Sequence, residues 1–172
     1  PMHEIVAGLA RDWGLLCAVL PMSNEPIATT IFGPDGEVPF QDYMVRLRTD
    51  LEVTRIAFAG VESARPAPGV LDALRFSEAE ILAPSNPFVS IGPILAVPGL
   101  RATLENTNAK RIAISPIIAG NVVKGPAAKM MLSLGHEVSV VGIAAVYRGL
   151  IDVMVIDEQD RALAPRAVSY TH

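Results

Sequence analysis

Residues 68–116, PGVLDALRFSEAEILAPSNPFVSIGPILAVPGLRATLENTNAKRIAISP, decide the fold. Pro68-Gly69 opens a helix through Leu74, because proline suits a first helical turn and the apolar positions then recur at helical spacing. Ile81-Leu82-Ala83-Pro84 reads as a buried strand end. Residues 90–106 are mostly helical, with a break at Pro98-Gly99. Arg111-Ile112-Ala113-Ile114-Ser115-Pro116 is the next strand. Strands separated by helices of this length build βαβ units, so an α/β fold with a mostly parallel sheet is expected.

Downstream the alternation continues. Lys124-Gly125-Pro126 leads into a helix from Ala127 to Leu134, a second helix covers Ser139 to Leu150, and Asp152 to Ile156 is a strand. Upstream, a helix over residues 2–13 carries Ile5, Leu9 and Trp13 on one face and stops at Gly14. Leu15 to Met22 reads as a strand ending in Ser23-Asn24-Glu25-Pro26. Thr29 to Phe32 and Glu37 to Val45 are joined by Gly33-Pro34-Asp35-Gly36, a strong hairpin turn. Arg55 to Phe58 is a further short strand. The chain is expected to be one domain, 1–172, with residues 28–47 as an inserted β-hairpin.

Composition bounds the function. The 172 residues suffice for one sizeable core, and 51% of them are hydrophobic. Only 19% are charged, which implies apolar surface covered by a partner subunit or further chain. A net charge of −4 argues against a general nucleic-acid binder. The single cysteine, Cys17, sits in the apolar run Leu15–Leu20 and reads as a buried structural thiol. No apolar run approaches the roughly 18 residues of a membrane span, and no signal-peptide pattern is visible, so a cytoplasmic protein is expected. Both ends read as cut. The first helix has no strand before it, and the tail from Arg166 to His172 stops where another strand is expected to begin.

In an open α/β sheet, ligands bind beyond the carboxyl ends of the strands, and two loops lie there. The first runs from Pro84 to Pro93. Its Ser85, Asn86 and Ser90 supply short polar groups, Gly92 permits close backbone approach, and the helix beginning near Ser90 is expected to aim free N–H groups at an anion. The second runs from Ser115 to Pro126 and places Lys124 at a helix entrance, where a cation suits a phosphate. The bland alternatives are a capped loop and a solvated lysine.

These two loops also carry a family resemblance. SNPFVSIGPILAVPG and ISPIIAGNVVKGPAAKMM resemble segments of the CofD family, the 2-phospho-L-lactate transferases of coenzyme F-420 biosynthesis. LPMSNEP, FQDYMVR, ARPAPGVLDAL and LGHEVSVVGIAAVYRGLIDVMVID extend the resemblance along nearly the whole chain. It implies a Rossmann-like three-layer sandwich. It also implies an Mg²⁺-dependent transferase that moves phospholactate, or phosphoenolpyruvate, from its guanosine-diphosphate-activated form to the ribityl hydroxyl of the deazaflavin FO, releasing GMP. Carried over by position, Ser85, Asn86, Pro87, Ser90, Gly92, Ser115, Pro116, Lys124 and Gly125 hold the nucleotide. Phe40, Gln41, Tyr43 and Arg46 are candidates for a deazaflavin pocket. Strand alternation sets Gln41 and Tyr43 on the opposite side from Phe40 and Arg46, so they cannot all meet one ligand.

The resemblance has a gap. The family's opening strand, with its glycine-rich turn, and the acidic segment expected to bind Mg²⁺ do not occur in this sequence, so no metal ligand is assigned. The alternative on the same fold is a non-catalytic nucleotide or nucleotide-sugar-binding regulator. A homodimer is the default assembly, with no nucleic-acid or membrane partner. His3, His136 and His172 lack metal-ligand spacing. Asp42, Asp152 and Asp157 form no acid–base pair, with Asp152 and Asp157 reading as turn or cap residues. Met130, Met131 and Met154 read as core.

Overall fold

The computed structural model describes residues 1–122 and 125–170; Lys124 and the last two residues lie outside them. Helix α1 (Met2–Asp12) ends at Trp13, and Gly14 takes a left-handed φ of 65°. Its apolar stripe does not reach a core: Ile5 is 59% and Trp13 74% exposed. The strand expected over Leu15 to Met22 is absent. That stretch is irregular, Leu15 to Leu20 is exposed, and Cys17 with it, which corrects the expectation of a buried thiol. A strand exists only where a neighbour takes its N–H and C=O groups. Here the pairing is confined to one bridge from Ser23 to Pro66.

Strands β1 (Ala28–Gly33) and β2 (Gly36–Pro39) form the expected hairpin. Strand β3 (Arg55–Ala59) pairs antiparallel with the other edge of β1. The second hairpin strand does not continue to Val45. Pro39 ends it, having no N–H for a ladder, and Asp42–Arg46 winds into a π-helix. Helical spacing turns Tyr43 inward, fully buried among Ile31, Val53 and Met130.

Alternation follows as expected. Helix α2 (Val70–Phe76) precedes β4 (Ala79–Leu82). A π-helical turn (Pro87–Ile91) runs into α3 (Gly92–Ala96), and α4 (Leu100–Glu105) follows the break at Gly99. Strand β5 (Lys110–Ile114) leads to a small hairpin, β6 (Ile117–Ile118) and β7 (Asn121–Val122), which the sequence reading treated as loop. Helices α5 (Ala127–Ser133) and α6 (Val140–Val146) precede β8 (Val153–Val155). A 3₁₀ stretch (Glu158–Leu163) and α7 (Ala164–Val168) follow, so the tail expected to run up to a further strand from Arg166 is helical as far as Val168. Asp157 caps the 3₁₀ stretch through Gln159 N–H at 3.0 Å, as its position suggested.

Strands β4, β5 and β8 form a parallel sheet in that order. Register aligns Leu82, Ala113 and Met154 on one face, where they pack with Leu104, Met131, Ile143 and Tyr147 from α4, α5 and α6. On the other face Ile81, Ile112 and Val153 align, and Ile81 is 64% exposed. The expected buried strand is thus buried on one side only. Asp152 is more than a turn residue. Its carboxylate takes both Nη2 and Nε of Arg111, at 2.6 and 3.2 Å, and the Arg111 backbone N–H at 2.9 Å, tying the start of β8 to β5.

Candidate functional site

The two loops beyond β4 and β5 meet. Ser85, Asn86 and Ser90 from the first, and Pro116 and Gly125 from the second, line one cleft of about 320 Å³. Phe40 and Met44 close its third side. A larger groove of about 480 Å³ is lined by β4 together with residues of α2, α3 and α4, and none of the cleft residues belongs to it.

Asn86 organises the first loop. Its Oδ1 accepts from the N–H groups of Phe88 (2.9 Å) and Val89 (3.3 Å), and its Nδ2 lies 3.3 Å from Met130 Sδ. The N–H groups of Ser90 and Ile91 reach the Asn86 carbonyl, both at 3.1 Å. The first turn of this helix is therefore satisfied internally, and Pro87 has no N–H to offer. The amides expected to point at an anion here are already taken. What remains free is side-chain chemistry: the hydroxyls of Ser85 and Ser90 make no hydrogen bond among the described residues. Helix α5, which begins against the same cleft at Pro126 and Ala127, has no side-chain cap.

Other expected members serve the fold. A Cβ on Gly92 would sit 3.2 Å from both the Phe58 ring and the Pro87 carbonyl, so the glycine makes room for Phe58. Pro87 is buried behind the turn. Ser115 is buried, its hydroxyl donating to the Ile117 carbonyl at 3.0 Å and accepting from the Ile117 N–H at 3.1 Å. It shapes the turn that presents Pro116. Lys124 lies outside the described residues.

Of the deazaflavin candidates, only Phe40 lines the cleft. Tyr43 is in the core, where burial raises the pKa of its phenol and its hydroxyl has no partner among the described residues. Gln41 is exposed. Arg46 is also exposed and is paired with Asp42 at 3.3 Å. The alternation argument fails because the segment is helical. Phe40 and Met44, four residues apart, share a face, and helical spacing is the signal that would have found Met44.

The described lining holds no charged side chain. An Mg²⁺ ion favours carboxylate and phosphate oxygens, so this lining does not by itself fit a magnesium site. Among the described residues no three His, Cys, Asp or Glu side chains converge on a metal position, and no helix is long and apolar enough to cross a membrane.

Comparison with known proteins agrees with the motifs. The family model described as 2-phospho-L-lactate transferase CofD matches residues 1–171. The chain is 38% identical over 161 residues to a 2-phospho-L-lactate transferase from Methanosarcina barkeri, covering 94% of this chain and 52% of that protein. It is 41% identical over 154 residues to its counterpart from Methanosarcina mazei, covering 90% and 50%. It is 36% identical over 165 residues to a phosphoenolpyruvate transferase from Streptomyces griseus, covering 93% and 52%. The chain thus spans about half the length of the curated relatives it matches. A solved UPF0052-family protein from Bacillus halodurans shares the fold, with a TM-score of 0.62 at 17% identity over 96% of this chain and 52% of that one. The chain belongs to the CofD family.

Proposed function

We propose that this chain supplies the diphosphate-holding wall of a phosphoacid transferase site in coenzyme F-420 biosynthesis. The donor is guanosine-diphosphate-activated phospholactate or phosphoenolpyruvate, and the acceptor is the ribityl hydroxyl of FO. The hydroxyl oxygen attacks the phosphorus that carries the three-carbon acid. The bond from that phosphorus to the bridging oxygen breaks, GMP leaves, and the hydroxyl proton passes to water. Such a reaction needs positioning and charge stabilisation more than a protein nucleophile.

The observation that carries the proposal is the convergence of both motif loops on one cleft, with two hydroxyls that have no partner among the described residues. Ser85 and Ser90 donate to phosphate oxygens, and the uncapped start of α5 presents its amides to the same anion. Phe40 and Met44 give an apolar wall suited to a flat ring. The cleft volume is at the lower end for small-molecule sites, which suits part of the two-substrate complex. The Mg²⁺ implied by the resemblance remains part of the proposed reaction mixture, with no ligand assigned on this chain.

One observation favours the regulator reading: the described lining carries no titratable group, which suits binding without turnover. Incubation with FO, MgCl₂ and the guanylated acid separates the two. GMP release with formation of the phosphoacid–FO product supports the transferase. GDP binding without product supports the regulator, and absence of both removes the cleft from consideration.

A further inference from the structure

Met130 stands where the walls of the cleft join. It lies on α5, one turn beyond Ala127 at the cleft edge, and is fully buried. Ile31, Tyr43 and Val53 surround it. Phe40 and Met44 of the third side, and Phe88 and Val89 of the Asn86 turn, pack on the same cluster. Its sulfur is not spent on packing alone, since Asn86 Nδ2 donates to it at 3.3 Å. The neighbouring Met131 gives the contrast. It is as deeply buried, among Leu104, Ile143 and Tyr147, yet its sulfur has no donor among the described residues.

A side-chain amide carries one acceptor oxygen and two N–H donors. Asn86 Oδ1 is held by the Phe88 and Val89 amides, which fixes the end of the group that faces the turn. Of the two N–H groups at the other end, the Met130 sulfur takes one. The other has no partner among the described residues, and Asn86 lines the cleft. A thioether is a weak acceptor. Against a buried cluster, however, an amide N–H with no acceptor at all costs more than the bond itself contributes. Leucine fills nearly the same volume and offers no acceptor, so packing alone does not call for sulfur here.

We propose, resting on the diphosphate reading of the cleft, that Met130 is a positioning residue: its sulfur pins the Asn86 amide so that the remaining N–H is held for a phosphate oxygen. Met130 touches no ligand itself and acts through Asn86. Because Phe40 and Met44 pack on the same cluster, one side chain ties the phosphate-holding turn to the apolar wall.

Met130→Leu and Met130→Gln separate this role from packing. Leucine keeps the volume and removes the acceptor, and Tm should fall by at most roughly 6 °C. Glutamine restores an acceptor oxygen but buries a polar group among apolar ones, so it should be the less stable of the two. Affinity for GDP, read by calorimetric titration, should run in the opposite order. The leucine variant should bind roughly 3- to 10-fold more weakly than the parent, and the glutamine variant more tightly than the leucine one. A packing role makes affinity follow stability, so a glutamine variant that binds more weakly than the leucine variant overturns the proposal. Where Met130→Gln does not fold, the Asn86 side chain decides in ligand-free Met130→Leu. Its NH₂ protons, assigned by their loss in Asn86→Asp, should exchange with water at least about threefold faster while the Phe88 and Val89 amides keep their protection. Unchanged exchange overturns the proposal. A parent chain that does not bind GDP overturns the reading of the cleft and this inference with it; a parent that binds, matched by Met130→Leu, overturns the role of Met130 alone.

Discussion

Asn86 is the residue at which folding and binding can be separated by two substitutions. Asn86→Ala removes both bonds from Oδ1 to the Phe88 and Val89 amides. Loss of such a cap costs about 1 kcal/mol, which in a domain of this size lowers Tm by roughly 2–4 °C. Asn86→Asp keeps the acceptor, and a carboxylate beside a helix start is mildly favourable, so Tm should hold or rise slightly. The aspartate nonetheless puts a negative charge into the cleft. At about 5 Å from a bound phosphate and an effective dielectric between about 20 and 80, the repulsion is about 1–3 kcal/mol. That corresponds to a loss of roughly 5- to 150-fold in affinity. Thermal melting and calorimetric titration with GDP read the two effects separately. An Asn86→Asp chain that binds GDP as tightly as the parent refutes the placement of the anion, and an Asn86→Ala chain with unchanged Tm refutes the cap.

Three further outcomes follow from the packing and the charge pairs. Tyr43→Phe deletes a buried hydroxyl that has no partner among the described residues, so it should leave stability unchanged or raise it by up to about 1 kcal/mol; Tyr43→Ala should cost about 3–5 kcal/mol, both read by urea denaturation. Asp152 is held below the usual carboxylate range, first by its hydrogen bond from the Arg111 side chain and then by the Arg111 backbone N–H. A depressed folded pKa gives stability that is present above the unfolded value near 4 and lost as pH falls through the folded one. Asp152→Asn should therefore lower stability by about 1–3 kcal/mol at pH 7 and flatten the acid limb of a Tm-versus-pH series. Gly142→Ala places a Cβ against the Glu137 carbonyl oxygen inside the buried face of α6; a loss of at least about 1–3 kcal/mol is expected in the same denaturation series.

The residues that revealed the fold are those whose local pattern and tertiary setting agree. Pro68-Gly69, the Gly99 break and the runs at β4, β5 and β8 carry their signal within a few residues, and the structure places elements at each. Leu15–Leu20 shows the opposite case. Its composition is that of a strand, yet strand identity depends on a neighbour that sequence pattern does not reveal. Residues 40–46 failed for another reason: alternation and helical spacing give different faces over so short a run, and Tyr43 packing against Met130 settles it. In the cleft, Ser85, Asn86 and Ser90 were legible as short polar groups at a strand end, but their division of labour was not. Only the folded structure reveals that Asn86 spends its side-chain carbonyl on two amides while the serine hydroxyls have no partner among the described residues.

The central claim is that the cleft between the two loops receives a diphosphate. The direct measurement is an amide NMR titration of the chain with GDP. The account predicts shifts concentrated at Ser85, Ser90, Gly125 and Ala127, with the groove around Ile81 and Leu95 unmoved. Shifts confined to that groove, or none at saturating GDP, would contradict it.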